Sequence, residues 1–339
     1  MKQRVKLIII TLFFLSSIFL LFIWQGVYLP KDVSSAEDML FLVEQGQSLF
    51  QISSGLEKEG IIKNRFLFDL HVILKGAQTK LQAGQYLLSP SMSILKIAKK
   101  IVSGDIVKIK VTIPEGYSLK DIENNVTKQG LVTLEIGEFK NEFQFLKDAP
   151  DDAPLEGFLF PDTYYFSYQA RIKEIVRKML ANFDNKLTAD LREEIKKQGK
   201  TIFEIVTMAS LLEKEVTDFE DKKLVSGILW KRLKNKIPLQ VDATITYITG
   251  KKTIKVSKED TQIDSPYNTY KYLGLPLGPI CNPGIDSIMA AIYPEDSEYW
   301  YYLSAPAAEG EPRPDGREGE TIFSRTLEEH NIAKARYLK

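Results

Sequence analysis

Two glutamates one residue apart, Glu213 and Glu215, lie in the stretch MASLLEKEV (208–216). A carboxyl that stays protonated near neutral pH can serve as a general acid, and burial against apolar groups raises a glutamate pKa to about 6 or more. Read as a helix from Thr201 to Glu215 at about 100° per residue, Ile205, Met208, Ala209, Leu212 and Val216 form an apolar stripe. The two glutamates fall on its opposite margins, about 200° apart around the axis, so they cannot line one cleft as a close carboxylate pair. Lys214 points toward water. Helical geometry alone does not choose between the two glutamates, nor between chemistry and a solvated helix edge.

The elements around this stretch must do the choosing. The chain has 339 residues, 44% of them apolar, enough for one large or two modest cores. Lys plus Arg and Asp plus Glu both number 45, so there is no basic excess of the kind a nucleic-acid binder shows. Cys281 is the single cysteine, which excludes an intrachain disulfide. Two histidines, His71 and His330, are too few for a histidine-built zinc site. A Cys281–His330 nucleophile pair survives counting, but GPICNPG around Cys281 is turn-like and shows no activating group. No metal and no cofactor is expected.

From Leu7 to Leu29 the chain runs 23 residues without a charge, more than the roughly 20 that span a bilayer. Lys2, Arg4 and Lys6 precede it and should stay cytoplasmic. A cleaved signal would be shorter and followed by a small-x-small site. The expectation is a cytoplasmic tail (1–6), a single-pass anchor (7–29) and a polar linker (30–38), with everything after Pro30 outside the cytoplasmic membrane.

Residues 39–107 read strand, helix, helix, strand, helix. Phe41–Val43 is a short apolar run, Ser48 and Asn64 are N-cap types, AGQYLLS is a second strand, and Gly104 closes a helix. IVKIKVTI (106–113) alternates as a half-buried strand. Ser118 caps a helix after PEGY. LEGFLFPDTYYF (155–166) is dense in core-type aromatics, Arg171–Leu187 and Thr201–Lys234 carry long helical patterns, and VDATITYITG is strand or short helix. SPYNTYKYLGLPLGPICNPG is loop, SIMAAIYP a short helix, YWYYLSA (299–305) a strand, EGEPRPDGREGE a hairpin or loop, and TIFSRTLEEHN a strand entering the last helix. Helices and strands mix without regular alternation, which is an α+β pattern.

The order IPEGYSLKDI, LEGFLFPDTYYF, MASLLEKEV, PLQVDATITY, SPYNTYKYLGLPLGPICNPG and TIFSRTLEEHN resembles the endolytic murein transglycosylase (YceG-like) family, over nearly the whole chain from about residue 40. The resemblance implies a membrane-anchored lytic transglycosylase with a LysM-like subdomain (39–107) and a catalytic domain (108–339). It implies cleavage of peptidoglycan strands between N-acetylmuramic acid and N-acetylglucosamine to leave 1,6-anhydro ends. It also implies a location facing the periplasm or cell wall, and a role beside the wall-synthesis machinery in terminating new strands. It assigns the catalytic glutamate to Glu215, with Glu213 in reserve. Ala243 stands where the family usually has proline, a departure expected to alter loop stiffness.

One carboxyl suffices for that chemistry. It protonates the glycosidic oxygen and then, as a base, takes the proton of the sugar's own C6 hydroxyl, whose effective concentration is high. Gln240, Asp242 and Thr244 would share one face if their stretch is extended. With Tyr267, Asn268, Thr269 and Tyr270 they are expected to hold the sugars through amide and hydroxyl bonds and ring stacking. Asp162 and Tyr164 are weaker candidates. The alternatives are a two-carboxylate hydrolase using Glu215 and Asp242, and a wall-binding scaffold without catalysis.

Overall fold

The computed structural model describes residues 2–35, 37–126, 134–167, 170–251, 256–305 and 320–337. The chain divides into two compact units, Met1–Lys110 with Tyr165–Ala170, and Val111–Tyr164 with Arg171–Lys339.

The first unit begins with α1 (Lys2–Tyr28), whose apolar side chains are largely exposed along its length. Then follow β1 (Met39–Val43), α2 (Leu49–Lys58), α3 (Arg65–Leu74), β2 (Gly84–Leu88) and α4 (Ile94–Ser103). β1 and β2 pair antiparallel, with Met39 opposite Leu88 and Val43 opposite Gly84. The cap residues act as their types dictate: Ser48 accepts from the Gln51 amide, Asn64 from Phe66, and Ser93 from Lys96. Gly104 ends α4 in the left-handed region at φ 67°. Phe41, Val43, Ile52, Leu56, Phe68, Tyr86, Leu88, Ile97 and Ile101 fill the core. The segment after α1 is not a loose linker. The Lys31 ammonium donates to the Gly60 carbonyl at 2.7 Å, and the Asp32 amide to Pro90 at 3.0 Å.

The chain crosses between units within β3 (Lys108–Thr112) and its paired strand β4 (Thr163–Ser167). β3 is less buried than its alternation suggests. Ile109 is exposed, Val111 half-buried and Ile113 buried, so the strand enters a core only at its end. In the second unit α5 (Leu119–Val126) is capped by Ser118, which exchanges hydrogen bonds with Asp121. The aromatic stretch is core, as expected: Phe158 stacks between Phe145 and Phe203, with Phe183 on its edge. Next come α6 (Ile172–Lys186) and α7 (Ala189–Lys197), the latter in a stretch to which the sequence reading assigns no element.

The long pattern 201–234 is two helices, α8 (Ile202–Glu215) and α9 (Phe219–Lys234). Val216 turns extended, at φ −143°, and Asp218 caps α9 by accepting from Glu220 and Asp221. No glycine or proline marks this break; the Asp218 side chain competes for the backbone. α10 (Asp242–Thr249) resolves the strand-or-helix ambiguity as a helix, closed by Gly250 at φ 65°. Its β-branched residues favour a strand locally, but packing on α8 and the left-handed cap prevail. α11 (Ile285–Ile292), the antiparallel pair β5 (Tyr301–Ala305) and β6 (Glu320–Ser324), and α12 (Leu327–Tyr337) complete the unit. Most of the segment expected to be a hairpin (309–320) lies outside the described residues. Among the described residues the fold is mixed, with helices dominating and strands confined to two-stranded pairs.

Candidate active site

α8 is not an edge helix with one apolar stripe. Every residue from Ile205 to Leu212 is buried, so the helix is the central rod of its unit. A Thr201–Glu204 capping box starts it, and it ends at Glu215. Both glutamates of the EKE triplet therefore sit where a buried helix emerges, on opposite flanks and with different neighbours.

Glu213 turns toward α11. Its carboxylate accepts from the Gly284 amide at 3.1 Å and the Ser287 hydroxyl at 2.6 Å, at the N-terminus of that helix. The buried Lys222 ammonium lies 3.5 Å away. Helix N-terminus, hydroxyl and cation are all donors or positive, so this carboxylate is a fastening between α8, α9 and α11. Glu115 packs beside it against Gly284, and burial, then the Glu213 charge, push the Glu115 pKa up.

Glu215 turns toward β5 and α10. One carboxyl oxygen accepts from the Tyr302 hydroxyl at 3.0 Å and the other, weakly, from the Ala243 amide at 3.4 Å. Ser304 donates to the Glu215 carbonyl at 2.8 Å, tying β5 to the end of α8. The residue keeps some exposure, but its carboxyl is desolvated, and this raises its pKa to about 7. The Tyr302 hydrogen bond opposes the shift, while the Asp242 charge adds to it. The C-terminal end of a helix dipole also disfavours a negative charge. The result is a carboxyl that can give and take a proton near neutral pH.

The neighbours are held from behind by Arg232, itself buried. It donates to Trp300 at 3.0 Å, just before β5, and to Leu239 at 2.8 Å, just before Gln240 and Asp242. One side chain thus sets both walls that face Glu215. Gln240 is exposed and sits at φ 56°, a strained region for a non-glycine residue. Asp242 is exposed at the first turn of α10, and its carboxylate accepts from the Tyr270 hydroxyl.

The premise that Gln240, Asp242 and Thr244 alternate along a strand does not hold, because α10 is helical from Asp242. Thr244 is fully buried, bonded to Val241 and to Thr269. Thr269 is buried and accepts from the Val241 amide at 3.0 Å. Asn268 is buried and pins its own loop through Thr261, Ile263 and Tyr270. In place of sugar contacts, these three side chains form the internal stitching that presents Gln240, Asp242 and Tyr270. Tyr267 is half-buried with its ring 5.0 Å from that of Tyr247. An open cleft of about 470 Å³ lies on the same loop, lined by Asp264, Pro266, Tyr272, Leu273, Leu275 and Leu277. Asp162 and Tyr164 both accept from the Asn182 amide, and the Tyr164 hydroxyl donates to the Phe160 carbonyl. The buried Cys281 thiol donates to the Ser210 carbonyl, and burial pushes its pKa up. His330 stacks on Tyr301. Neither has the surroundings of a nucleophile pair. Among the described residues, no group of three or more His, Cys, Asp and Glu side chains is placed to hold a metal ion.

Tyr302 and Arg232 are the residues that sequence reasoning misses. Tyr302 belongs to a strand whose aromatics look alike, and only the fold selects the one that reaches Glu215. Glu156 is a third. It is fully enclosed, accepts from the Leu119 amide at 3.0 Å and from Asn282 at 3.0 Å, and is bonded to Tyr247. Desolvation lifts its pKa to about 8 from the ordinary 4.5. The folded protein thus holds a proton that the unfolded chain releases. The associated stability is complete below pH 4.5 and declines as pH rises to about 8. Glu215 contributes in the same sense only up to about pH 7. Glu156→Gln should therefore remove the loss of stability that the wild type suffers between about pH 7 and 8, read from guanidinium unfolding midpoints. An unchanged loss would show that Glu156 is ionised in the fold.

A model of the YceG-like family matches residues 41–336. The chain is 34% identical to an endolytic murein transglycosylase of Bacillus subtilis, over 91% of this chain and 87% of that protein. It is 31% identical to an endolytic murein transglycosylase of Streptococcus pneumoniae, over 90% of this chain and 60% of that longer protein. The crystal structure of a YceG-like protein of Listeria monocytogenes superposes with a TM-score of 0.57 at 34% identity, covering 88% of this chain and all of that one.

Proposed function

We infer that this chain, which belongs to the YceG-like family, is a peptidoglycan lytic transglycosylase with Glu215 as its acid and base. The observation that carries the assignment is the Glu215 carboxyl, desolvated at the end of a buried helix and balanced near neutral pH. Glu213 is engaged as a fastening, which favours Glu215 of the two.

A single carboxyl of this kind supports a lytic reaction. Protonated Glu215 gives its proton to the glycosidic oxygen, the C1–oxygen bond breaks, and the N-acetylglucosamine side leaves as an alcohol. The C6 hydroxyl of the muramic residue then bonds to C1 and returns its proton to Glu215. No water is consumed, and the end formed is 1,6-anhydro. Tyr302 and the Ala243 amide orient the carboxyl and stabilise it once charged. The Asp242 carboxylate, fixed by Tyr270, would oppose the positive charge that develops at C1 and O5. Gln240, Tyr267 and Tyr270 are the remaining candidates for holding sugar. The neighbouring charge of Asp242 also supports a second reading, a two-carboxylate hydrolase.

The strand–helix–helix–strand order of residues 39–107 supports reading them as a LysM-like glycan-binding module beside a catalytic domain of 108–339. α1 supports single-pass anchoring. The 23-residue span from Lys6 to Tyr28 rises about 35 Å, against roughly 30 Å of bilayer hydrocarbon. The basic residues before it favour a cytoplasmic N-terminus, leaving the rest of the chain on the wall side. An anhydro end has no free C1 to extend, so cutting a growing strand would terminate it. A place beside the enzymes that polymerise strands is consistent with that chemistry.

The test is to incubate full-length protein with purified uncrosslinked glycan strands and follow their length. Internal fragments are expected. Strands that are bound but remain intact would mean a scaffold. Tyr302→Phe removes the hydrogen bond that favours ionised Glu215, so its pKa should rise. The alkaline limb of the pH–rate profile, where the acid is lost, should move to higher pH while turnover falls. An unmoved limb would show that Tyr302 does not act on Glu215.

A further inference from the structure

The anchor helix is not a free tether. Ile23 and Val27 of α1 pack into the core formed by α2, α3 and α4. Gly26 meets Leu67 of α3 so closely that an added Cβ would lie 2.1 Å from its Cδ1. Beyond the helix, Lys31 and Asp32 are bonded to Gly60 and Pro90 of the same unit. This leaves only a short unencumbered span. The 16 residues from Leu7 to Phe22 rise about 24 Å, less than the roughly 30 Å of bilayer hydrocarbon. For α1 to cross, its packed end must still lie at membrane level. Trp24 and Tyr28, stacked on each other and about half exposed, are the aromatic pair that marks the headgroup zone.

We propose that the surface made by the first turn of α2 and the start of α3 rests on the outer surface of the lipid bilayer, with Phe50 and Phe66 among the headgroups and Lys63 and Arg65 facing anionic phospholipid. Phe66 precedes Leu67, the residue that touches Gly26, so it lies beside the contact between α3 and the end of α1. It is 63% exposed and Phe50 is 58% exposed. The Arg65 guanidinium lies over the Phe50 ring at 4.2 Å, and Lys63 is an electrostatic neighbour of Asp32, just past α1. Aromatic rings interleaved with cations are the chemistry of an anionic membrane interface. The unit would then be seated on the membrane by its own surface as well as held by its helix.

This proposal rests on α1 being an anchor, and the experiment separates the two. Cys281 is the only cysteine and is buried, so Phe66→Cys in the full chain accepts one environment-sensitive fluorophore. Glu44→Cys, an exposed position just after β1, is the comparison. Each protein is reconstituted in vesicles of mixed zwitterionic and anionic phospholipid, floated, and read with and without a lipid-borne quencher. The label at position 66 should emit to the blue of the label at 44 and lose most of its intensity to the quencher. Protein that floats with the vesicles while the label at 66 emits as in water and resists quenching would overturn the proposed surface and leave the anchor standing. Protein that fails to float would overturn both.

Discussion

Glu215→Gln should reduce strand cleavage by about 10²–10⁴-fold, the usual contribution of a positioned general acid–base, without loss of fold. The amide has the shape of the carboxyl, can still accept from Tyr302, and has no proton to give. Because the wild-type carboxyl already resists ionisation in the fold, the neutral replacement should leave the unfolding midpoint unchanged below about pH 4.5 and raise it progressively as pH climbs to about 7, the range in which the unfolded chain ionises while the folded carboxyl keeps its proton. Glu213→Gln should do the opposite. It leaves the buried Lys222 ammonium without its counter-charge, at a cost of roughly 3 kcal/mol or more, while the fraction that stays folded cuts at close to the wild-type rate. Steady-state cleavage and denaturant unfolding on both variants separate the roles. Full activity in Glu215→Gln would contradict the assignment.

The second large effect should come from Arg232. Its guanidinium satisfies the carbonyls of Trp300 and Leu239, which lie on the two walls facing Glu215. Arg232→Met keeps much of the bulk and orphans both acceptors. Each hydrogen bond from a charged donor is worth about 1.5–3 kcal/mol, so a loss of roughly 3 kcal/mol is expected, a large part of a typical total of about 5–15 kcal/mol. Activity should fall further than stability explains, because Tyr302 and Asp242 lose their common reference point. The check is turnover measured well below the unfolding temperature, normalised to folded protein. Turnover at the wild-type level would mean the walls hold their positions unaided.

How much of this was legible before the fold was known differs from residue to residue. The caps Ser48, Asn64, Ser118 and Gly104 are local chemistry, and each acts as its type dictates. Glu215 was legible as a candidate, but its spacing could not separate it from Glu213. What separates them is a hydroxyl from Tyr302 on one side, and a helix terminus and a lysine on the other, all distant in sequence. The 200° separation of the pair was sound, whereas the single apolar stripe was not, because α8 is enclosed on every face. Thr244, Asn268 and Thr269 looked like sugar contacts because hydroxyl and amide side chains in a loop serve equally well as ligands and as internal stitching. Only their burial decides. Arg232 and Glu156 gave no signal, since a buried charge satisfied by backbone groups has no local pattern.

The most direct test of a one-carboxyl mechanism is to run the cleavage in water enriched in heavy oxygen and weigh the new muramic ends. The internal C6 hydroxyl as nucleophile predicts ends one water lighter than a reducing sugar and free of heavy oxygen. Ends carrying one heavy oxygen at C1 would show that water attacks, and would make Asp242 the second carboxylate of a hydrolase.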